Sequence, residues 1–311
     1  MAAKHASPVQ ALLVDEAFDG EVFPHELLAK HTSYRLGGPA RFYVEASSVG
    51  ALRQLVDTCA EHGTPWTIMG RGSNLLVADE GFPGVVVTLG RDFRTFRFDE
   101  EASRFSVGAG VLLSSVVHDA FRRCLEGLEF AVDIPGTVGG ALRMNAGTRE
   151  TGIGDRVASA TVLRAGTGLV RLEADDLAWG YRRSPFLPDD VIVECELSVT
   201  SGNPFYIRSK MEAAHTRRRK TQPQSKATCG SVFRNPEGGS AGQLIEELGL
   251  KGSRIGGASV SDVHANFIEN DGTASAQDVS DLIEMIQEKV EQAHGIKLQP
   301  EVRFLGFAQD R

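Results

Sequence analysis

At 311 residues the chain is long enough for two or three domains with ample core. Hydrophobic residues make up 41% and charged residues 24%, an ordinary globular composition, and the net charge of -8 argues against a nucleic-acid-binding surface spread over the whole protein. No run approaches the ~20 apolar residues that span a bilayer.

The opening MAAKHASPVQALLVDEAFDGEVF has one lysine and one short apolar run broken by acids, which is not the pattern of a secretory leader. ARFYVEA at 40–46 reads as a strand. Ser48 then caps a helix to about Glu61, with Leu52, Leu55, Val56 and Cys59 on one face. WTIMG, LLVA and GVVVTLG follow as short apolar strands between glycine-rich turns. FRTFRF and RFSVGAG form a strand pair, followed by a helix at about Leu112–Leu125. ASATVLRA, GLVRLEA and DVIVECELSVT supply more strands. The helix at about 204–219 ends in the basic run Arg217-Arg218-Arg219-Lys220. After CGSVFRNP come a short helix at Ala241–Leu248, a strand in HANFIEN, a helix at about Ala276–Ala293 and a closing strand in KLQPEVRFLGF. The class is α+β with mixed sheets. Cys59, Cys124, Cys195 and Cys229 are far apart and read as reduced thiols. The eight histidines show no ligand spacing, so no structural metal is expected.

Two segments are rich in glycine. GRGSNLLV (Gly70, Arg71, Gly72, Ser73, Asn74, Leu75 and two more) joins two predicted strands. Its glycines permit positive φ and close backbone approach, and its N–H groups suit an anion nest. It lacks G-x-G-x-x-G and no helix follows, which argues against a Rossmann pyrophosphate site, and it lacks the G-K-[ST] of a P-loop. A plain glycine-rich hairpin is the competing reading. IPGTVGGALRMNAG (134–147) is a second small-residue stretch against which a planar or phosphorylated ligand could lie, or a pair of tight turns. CGSVFRNP holds Ser231 without the second glycine of a nucleophile elbow, so on local grounds Ser231 is a serine at the start of a strand.

The segments HTSYRLGGPA, GRGSNLLV, IPGTVGGALRMNAG, YRRSPF, CGSVFRNP and LQPEVRF occur in the order found in UDP-N-acetylenolpyruvoylglucosamine reductases. The chain resembles that family from about His31 to Phe304, in its shorter subtype without an extra tyrosine-bearing loop. The resemblance implies a vanillyl-alcohol-oxidase-like (PCMH-type) FAD-binding fold in three domains. Residues 1–90, with 299–311 returning as a strand, and 91–203 would hold FAD, and 204–298 would form an α+β substrate domain. Gly70 to Leu75 would wrap the FAD pyrophosphate. Pro135, Gly136, Thr137, Val138, Gly139, Gly140, Asn145, Ala146 and Gly147 would run along the adenosine diphosphate and the flavin. GRGSNLLV has neither histidine nor cysteine, so the FAD would be non-covalent, Cys229 being the one thiol beside the active serine.

The implied reaction passes hydride from NADPH through FAD to an enolpyruvyl ether of UDP-N-acetylglucosamine, giving UDP-N-acetylmuramate for peptidoglycan. A carbanion then needs an acid, not a nucleophile. By resemblance Ser231 is that acid, a weak hydroxyl sufficing when positioned. Arg182 matches the family's active-site arginine and would fork onto the substrate carboxylate. Glu301 matches the catalytic glutamate. In a strand it shares a face with Arg303, a possible substrate contact or a plain ion-pair partner. Tyr181 and Asn235 would line the substrate pocket. Lys220 either supports the serine alkoxide or is a lysine favoured by a helix end. Arg183 reads as surface charge, and His264 and Asn266 as structural. A cytoplasmic monomer without nucleic-acid or membrane partners is expected. A carbohydrate or alcohol oxidase of the same fold, or a silent flavin or nucleotide-sugar sensor, are the rivals. Neither explains Ser231, Arg182 and Glu301 together.

Overall fold

The structure, a computed structural model, describes residues 7–223 and 225–308. The first six residues of the segment read as lacking a leader, and the end of the expected return segment, lie outside the described residues. The chain divides into two compact units, each assembled from non-contiguous stretches. Unit 1 takes Met1–Pro24, Arg41–Gly70 and Gly84–His215, and unit 2 takes His25–Ala40, Arg71–Pro83 and Thr216–Arg311. The helix that opens the expected third domain at residue 204 therefore stays with unit 1 up to His215.

Unit 1 is built on two sheets over one core. The first orders its strands Gly20–Pro24, Ala40–Ala46, Phe82–Leu89 and Trp66–Ile68. Val85, Val86 and Val87, fully buried, give the third of these its apolar centre, as β-branched side chains suit a pleated surface. Trp66–Ile68 runs parallel to it, in register Trp66↔Val85, and the helix Val49–Glu61 connects Ala40–Ala46 to Trp66–Ile68. Ser48 caps that helix, its Oγ accepting from Ala51 N at 3.3 Å, and Leu52, Leu55, Val56 and Cys59 are buried as the periodicity requires. The second sheet is antiparallel, in the order Gly168–Glu173, Val157–Arg164, Val191–Ser198, Arg104–Gly108 and Phe96–Asp99. The helix Leu113–Arg122 packs into the same core.

Unit 2 has its own core of Tyr34, Leu76, Val232, Phe233, Ile245 and the apolar stripe of the helix Ala276–His294. That stripe is Val279, Leu282, Ile283, Ile286 and Val290, all buried. Ser275 and Asp278 form a capping box at the start of the helix, and Gly295 ends it in the left-handed region at φ 68°. A three-stranded antiparallel sheet, Arg254–Ile255, Ala258–Val260 and Ile268–Asn270, lies beside it. The C-terminal strand Arg303–Leu305 pairs in parallel with Leu75–Val77, the strand that leaves the first glycine-rich segment, in register Arg303↔Leu75.

Three local expectations change. Residues 138–144 form a helix and not a pair of tight turns. Val138, Ala141 and Leu142 bury at helical spacing, and Thr137 caps the end by accepting from Gly140 N at 3.3 Å. CGSVFRNP starts no strand. It is an irregular segment with one bridge, Phe233↔Pro300. Glu301 precedes the strand Arg303–Leu305, so the two-residue alternation that would pair Glu301 with Arg303 does not operate there. No helix among the described residues is long and apolar enough to cross a membrane.

Candidate active site

In unit 2, the residues that follow Ser231 are held between two backbone supports. On one side Val232 N donates to Asn266 O at 2.8 Å, and Asn266 closes both ends of its side-chain amide on Phe233. Its Oδ1 accepts from Phe233 N at 2.9 Å and its Nδ2 donates to Phe233 O at 2.8 Å. On the other side Glu301 N donates to Val232 O at 2.7 Å and Arg234 N to Gln299 O at 2.9 Å. Gly230, at φ 84°, makes the turn into the segment that a Cβ would resist. The fold thus brings Ser231 and Glu301 together through Val232, the residue after the serine.

The first glycine-rich segment reaches the same place. Asn74 Nδ2 donates to Glu301 O at 2.9 Å, and Arg303 N donates to Asn74 O at 3.0 Å. Asn74 therefore fixes the backbone on both sides of Val302. Gly72, at φ 60°, accepts from Ser33 N at 3.1 Å. Asn235 Oδ1 accepts from Ala241 N at 3.0 Å, fastening the start of the helix Ala241–Glu247. Arg303 is exposed. Lys220 is exposed in the last turn of the helix Pro204–Thr221, beside Arg218 and Arg219, and among the described residues no hydrogen bond links it to Ser231.

Cys229 is buried, and burial first, then the nearby Glu301 carboxylate, push its thiol up to about 12. A thiol so held stays protonated near neutral pH and is no nucleophile. The Tyr34 hydroxyl lies fully buried beside it, and burial holds it neutral as well. His264 is kept neutral by burial and by the charge of Lys251, and its Nδ1 accepts from Asn266 N at 3.1 Å.

In unit 1, Gly70, the first residue of GRGSNLLV, packs on the second glycine-rich segment. A Cβ on Gly70 would lie 2.8 Å from Thr137 Oγ1, so glycine suits that close approach. Gly139 packs as closely on Ala109, while a Cβ on Gly140 would meet only Thr137 Oγ1, at 3.5 Å. The backbone at 139–140 is therefore pinned on its inner side and bare on its outer one, the surface a flat ligand needs. Gly136, at φ 116°, sets the entry to the helix Val138–Met144, and Asn145, at φ 42°, ends it.

Arg182 lies in a two-residue turn closed by Gly180 N to Arg183 O at 3.1 Å and Arg183 N to Gly180 O at 3.0 Å. Its φ is 50°, a left-handed value that costs a non-glycine residue on the order of 1–2 kcal/mol. Backbone strain of this kind is retained where the surroundings impose it, often at functional sites. The guanidinium stacks on the ring of the exposed Tyr181 at 5.2 Å and donates to Gly147 O at 3.1 Å. Sequence reasoning missed Arg143, whose Nη1 donates to Leu187 O at 2.8 Å and whose Nη2 donates to Asp190 O, fixing the loop that follows YRRSPF. The only sequence signal for it was its place in an unrecognised helix.

Residues 222–305 match the family model for the UDP-N-acetylenolpyruvoylglucosamine reductase C-terminal domain, and residues 40–173 match the FAD binding domain. A UDP-N-acetylenolpyruvoylglucosamine reductase of Synechocystis sp. is 41% identical over 312 aligned residues, covering 98% of this chain and 97% of that one. The chain belongs to this family. The reductase of Halalkalibacterium halodurans is 40% identical, over 92% of this chain and 95% of its own length. The crystal structure of UDP-N-acetylenolpyruvylglucosamine reductase from Thermus caldophilus superposes with a TM-score of 0.80 at 34% identity, covering 92% of this chain and 98% of that one. The chain is thus an oxidoreductase of peptidoglycan precursor synthesis with FAD as its cofactor, on the vanillyl-alcohol-oxidase-like fold expected from the resemblance. The bare glycine backbone of unit 1 fits that cofactor.

Proposed function

We propose that this chain reduces the enolpyruvyl ether of UDP-N-acetylglucosamine to UDP-N-acetylmuramate, with NADPH as hydride donor and FAD held without a covalent bond. The observation that carries the reading is the backbone of Val232, the residue after Ser231, tied to Asn266 by its N–H and to Glu301 by its carbonyl. When bound, FAD would supply the hydride relay between NADPH and the β carbon of the enol ether. Ser231 Oγ gives its proton to the carbon next to the carboxylate, where negative charge collects. A hydroxyl is a weak acid, but a carbanion is far more basic than an alkoxide, so position matters more than acidity. Glu301 orients the charge that develops there. Arg182 binds the substrate carboxylate and stabilises the enolate formed on it.

Gly70 to Leu75, Pro135 to Gly140 and Asn145 to Gly147 are assigned to FAD, and Tyr181, Asn235, Lys220 and Arg303 to the sugar nucleotide. The basic run from Arg217 to Lys220 draws in diphosphate. The three-domain division stands with this assignment, the protein working as a cytoplasmic monomer. The buried, protonated Cys229 supports non-covalent FAD. The test is spectroscopic. The purified protein should bleach near 450 nm with NADPH under argon and recover its colour when the enolpyruvyl sugar nucleotide is added. A flavin that NADPH does not bleach, or that only oxygen restores, would overturn the reading in favour of an oxidase.

A further inference from the structure

Asn145 sits at the left-handed end of the helix Val138–Met144, buried, with both halves of its side chain in use. Oδ1 accepts from Gly154 N at 2.9 Å and Nδ2 donates to Gly180 O at 2.8 Å. The two partners are one N–H and one C=O, so the amide has a single satisfied orientation. Gly180 is the first residue of the strained turn that carries Arg182. The Arg182 guanidinium reaches back to the carbonyls of Asn145 and Gly147, at 3.5 and 3.1 Å. Asn145 thus touches the turn at its hinge through the side chain and at its tip through the backbone. Gly154, the other anchor, lies under Trp179, the residue before Gly180, and a Cβ there would strike the indole at 2.3 Å. The Asn145 amide joins these two anchors by hydrogen bonds.

We infer that Asn145 is a positioning residue, its side-chain amide holding the Gly180–Arg183 turn so that Arg182 meets the substrate carboxylate. The inference rests on the reductase reading above. It takes the Asn145 side chain away from FAD, to which the family resemblance had assigned it, and leaves the cofactor at most the backbone there. Glycine at 145 keeps the left-handed helix end and removes the clamp. Gly152→Ala attacks the clamp from outside. Gly152 has an extended backbone that alanine tolerates, but the new Cβ would fall 2.3 Å from Asn145 Oδ1 and displace the amide.

The test compares wild type, Asn145→Gly, Gly152→Ala, Arg182→Lys and the double variant Asn145→Gly/Arg182→Lys in stopped flow. Asn145→Gly should slow reoxidation by the enolpyruvyl substrate up to ~10²-fold, far more than it slows bleaching by NADPH, the loss typical of a reacting group misplaced by about 1 Å. The double variant should be no slower than the worse single one, because the two residues act as one unit. Gly152→Ala should show the same selective loss, and decides the matter if Asn145→Gly does not fold. Without flavin, trypsin should cut after Arg182 roughly 10-fold faster in Asn145→Gly than in wild type, read by intact mass. Multiplying losses in the double variant, equal slowing of both half-reactions, or unchanged tryptic cutting would each overturn the inference. If wild type itself is not reoxidised by the substrate, the reductase reading has failed instead.

Discussion

Asn266 holds Phe233 by both ends of one amide, accepting from its N–H at 2.9 Å and donating to its carbonyl at 2.8 Å. Neither residue touches the reaction in the proposed mechanism, yet together they fix the backbone two residues beyond Ser231. Buried backbone groups left without partners cost about 1–3 kcal/mol each. Asn266→Leu, which matches the shape and removes both bonds, should therefore lower stability by about 2–4 kcal/mol in urea unfolding. A loss under ~0.5 kcal/mol would mean that water or a neighbour replaces the amide.

His264 gives that loop a pH dependence. Burial and Lys251 hold its folded pKa below the ordinary 6.5, with Glu246 opposing them. The unfolded chain then binds the extra proton first, so stability is intact above about pH 6.5 and falls as the pH drops below it. Protonation also ends the bond that Nδ1 accepts from Asn266 N. Thermal unfolding between pH 7.5 and 5.5 should show a steeper loss for wild type than for His264→Asn. Parallel curves would remove His264 as the cause.

The helix at 49–61, the alternation in the antiparallel sheet and the long helix of unit 2 were legible because periodic burial writes itself into periodic sequence. The helix Val138–Met144 was hidden by its two glycines, weak helix formers that tertiary bonds to Ala109 and Val111 override. CGSVFRNP looked like a strand from its Val232 and Phe233, but its hydrogen bonds go to Asn266 and to residues 299–302, some 33 to 70 positions away. Ser231 and Glu301 were found by resemblance, and their shared tie at Val232 is a property of the fold that no spacing announces. The same is true of the Asn145 clamp, whose partners lie 9 and 35 residues on.

Cys229 should behave as an inert thiol. Held at about 12, it is ionised to only about 10⁻⁴ at pH 8, against roughly a quarter for a free cysteine. Because only the unfolded thiol ionises between about pH 8.5 and 12, its contribution to stability is complete below that window and is lost as the pH rises through it. Iodoacetamide at pH 8 should leave Cys229 unlabelled in the native protein and label it in urea, and denatured protein should release intact FAD. Rapid native labelling, or flavin mass retained on the peptide bearing Cys229, would contradict the assignment.

Arg182→Lys replaces a planar fork with a point charge. The stacking on Tyr181 and the bond to Gly147 O are both properties of the guanidinium. Turnover should fall about 10²-fold, as when one donor to a developing oxyanion is removed, while bleaching by NADPH stays near normal. Near-normal turnover would take Arg182 out of the catalytic set.

Ser231 separates the two halves of the reaction most cleanly. If it only protonates the carbanion, it has no task while NADPH reduces the flavin, so Ser231→Ala should bleach at close to the wild-type rate. Reoxidation by the enolpyruvyl sugar nucleotide should then slow by ~10²–10⁴-fold, the range of general acid catalysis. The backbone ties at Val232 and Phe233 do not involve the side chain, so the variant should unfold within ~0.5 kcal/mol of wild type, the usual range for a substitution that breaks no structural bond. Ser231→Cys keeps a proton to give and should recover part of the loss, limited by the size of sulfur in a segment held on both sides. Equal slowing of both half-reactions in Ser231→Ala would make the residue a wall of the pocket. If neither half-reaction slows, the acid must come from elsewhere, and Glu301, tied to the same carbonyl of Val232, becomes the next group to replace.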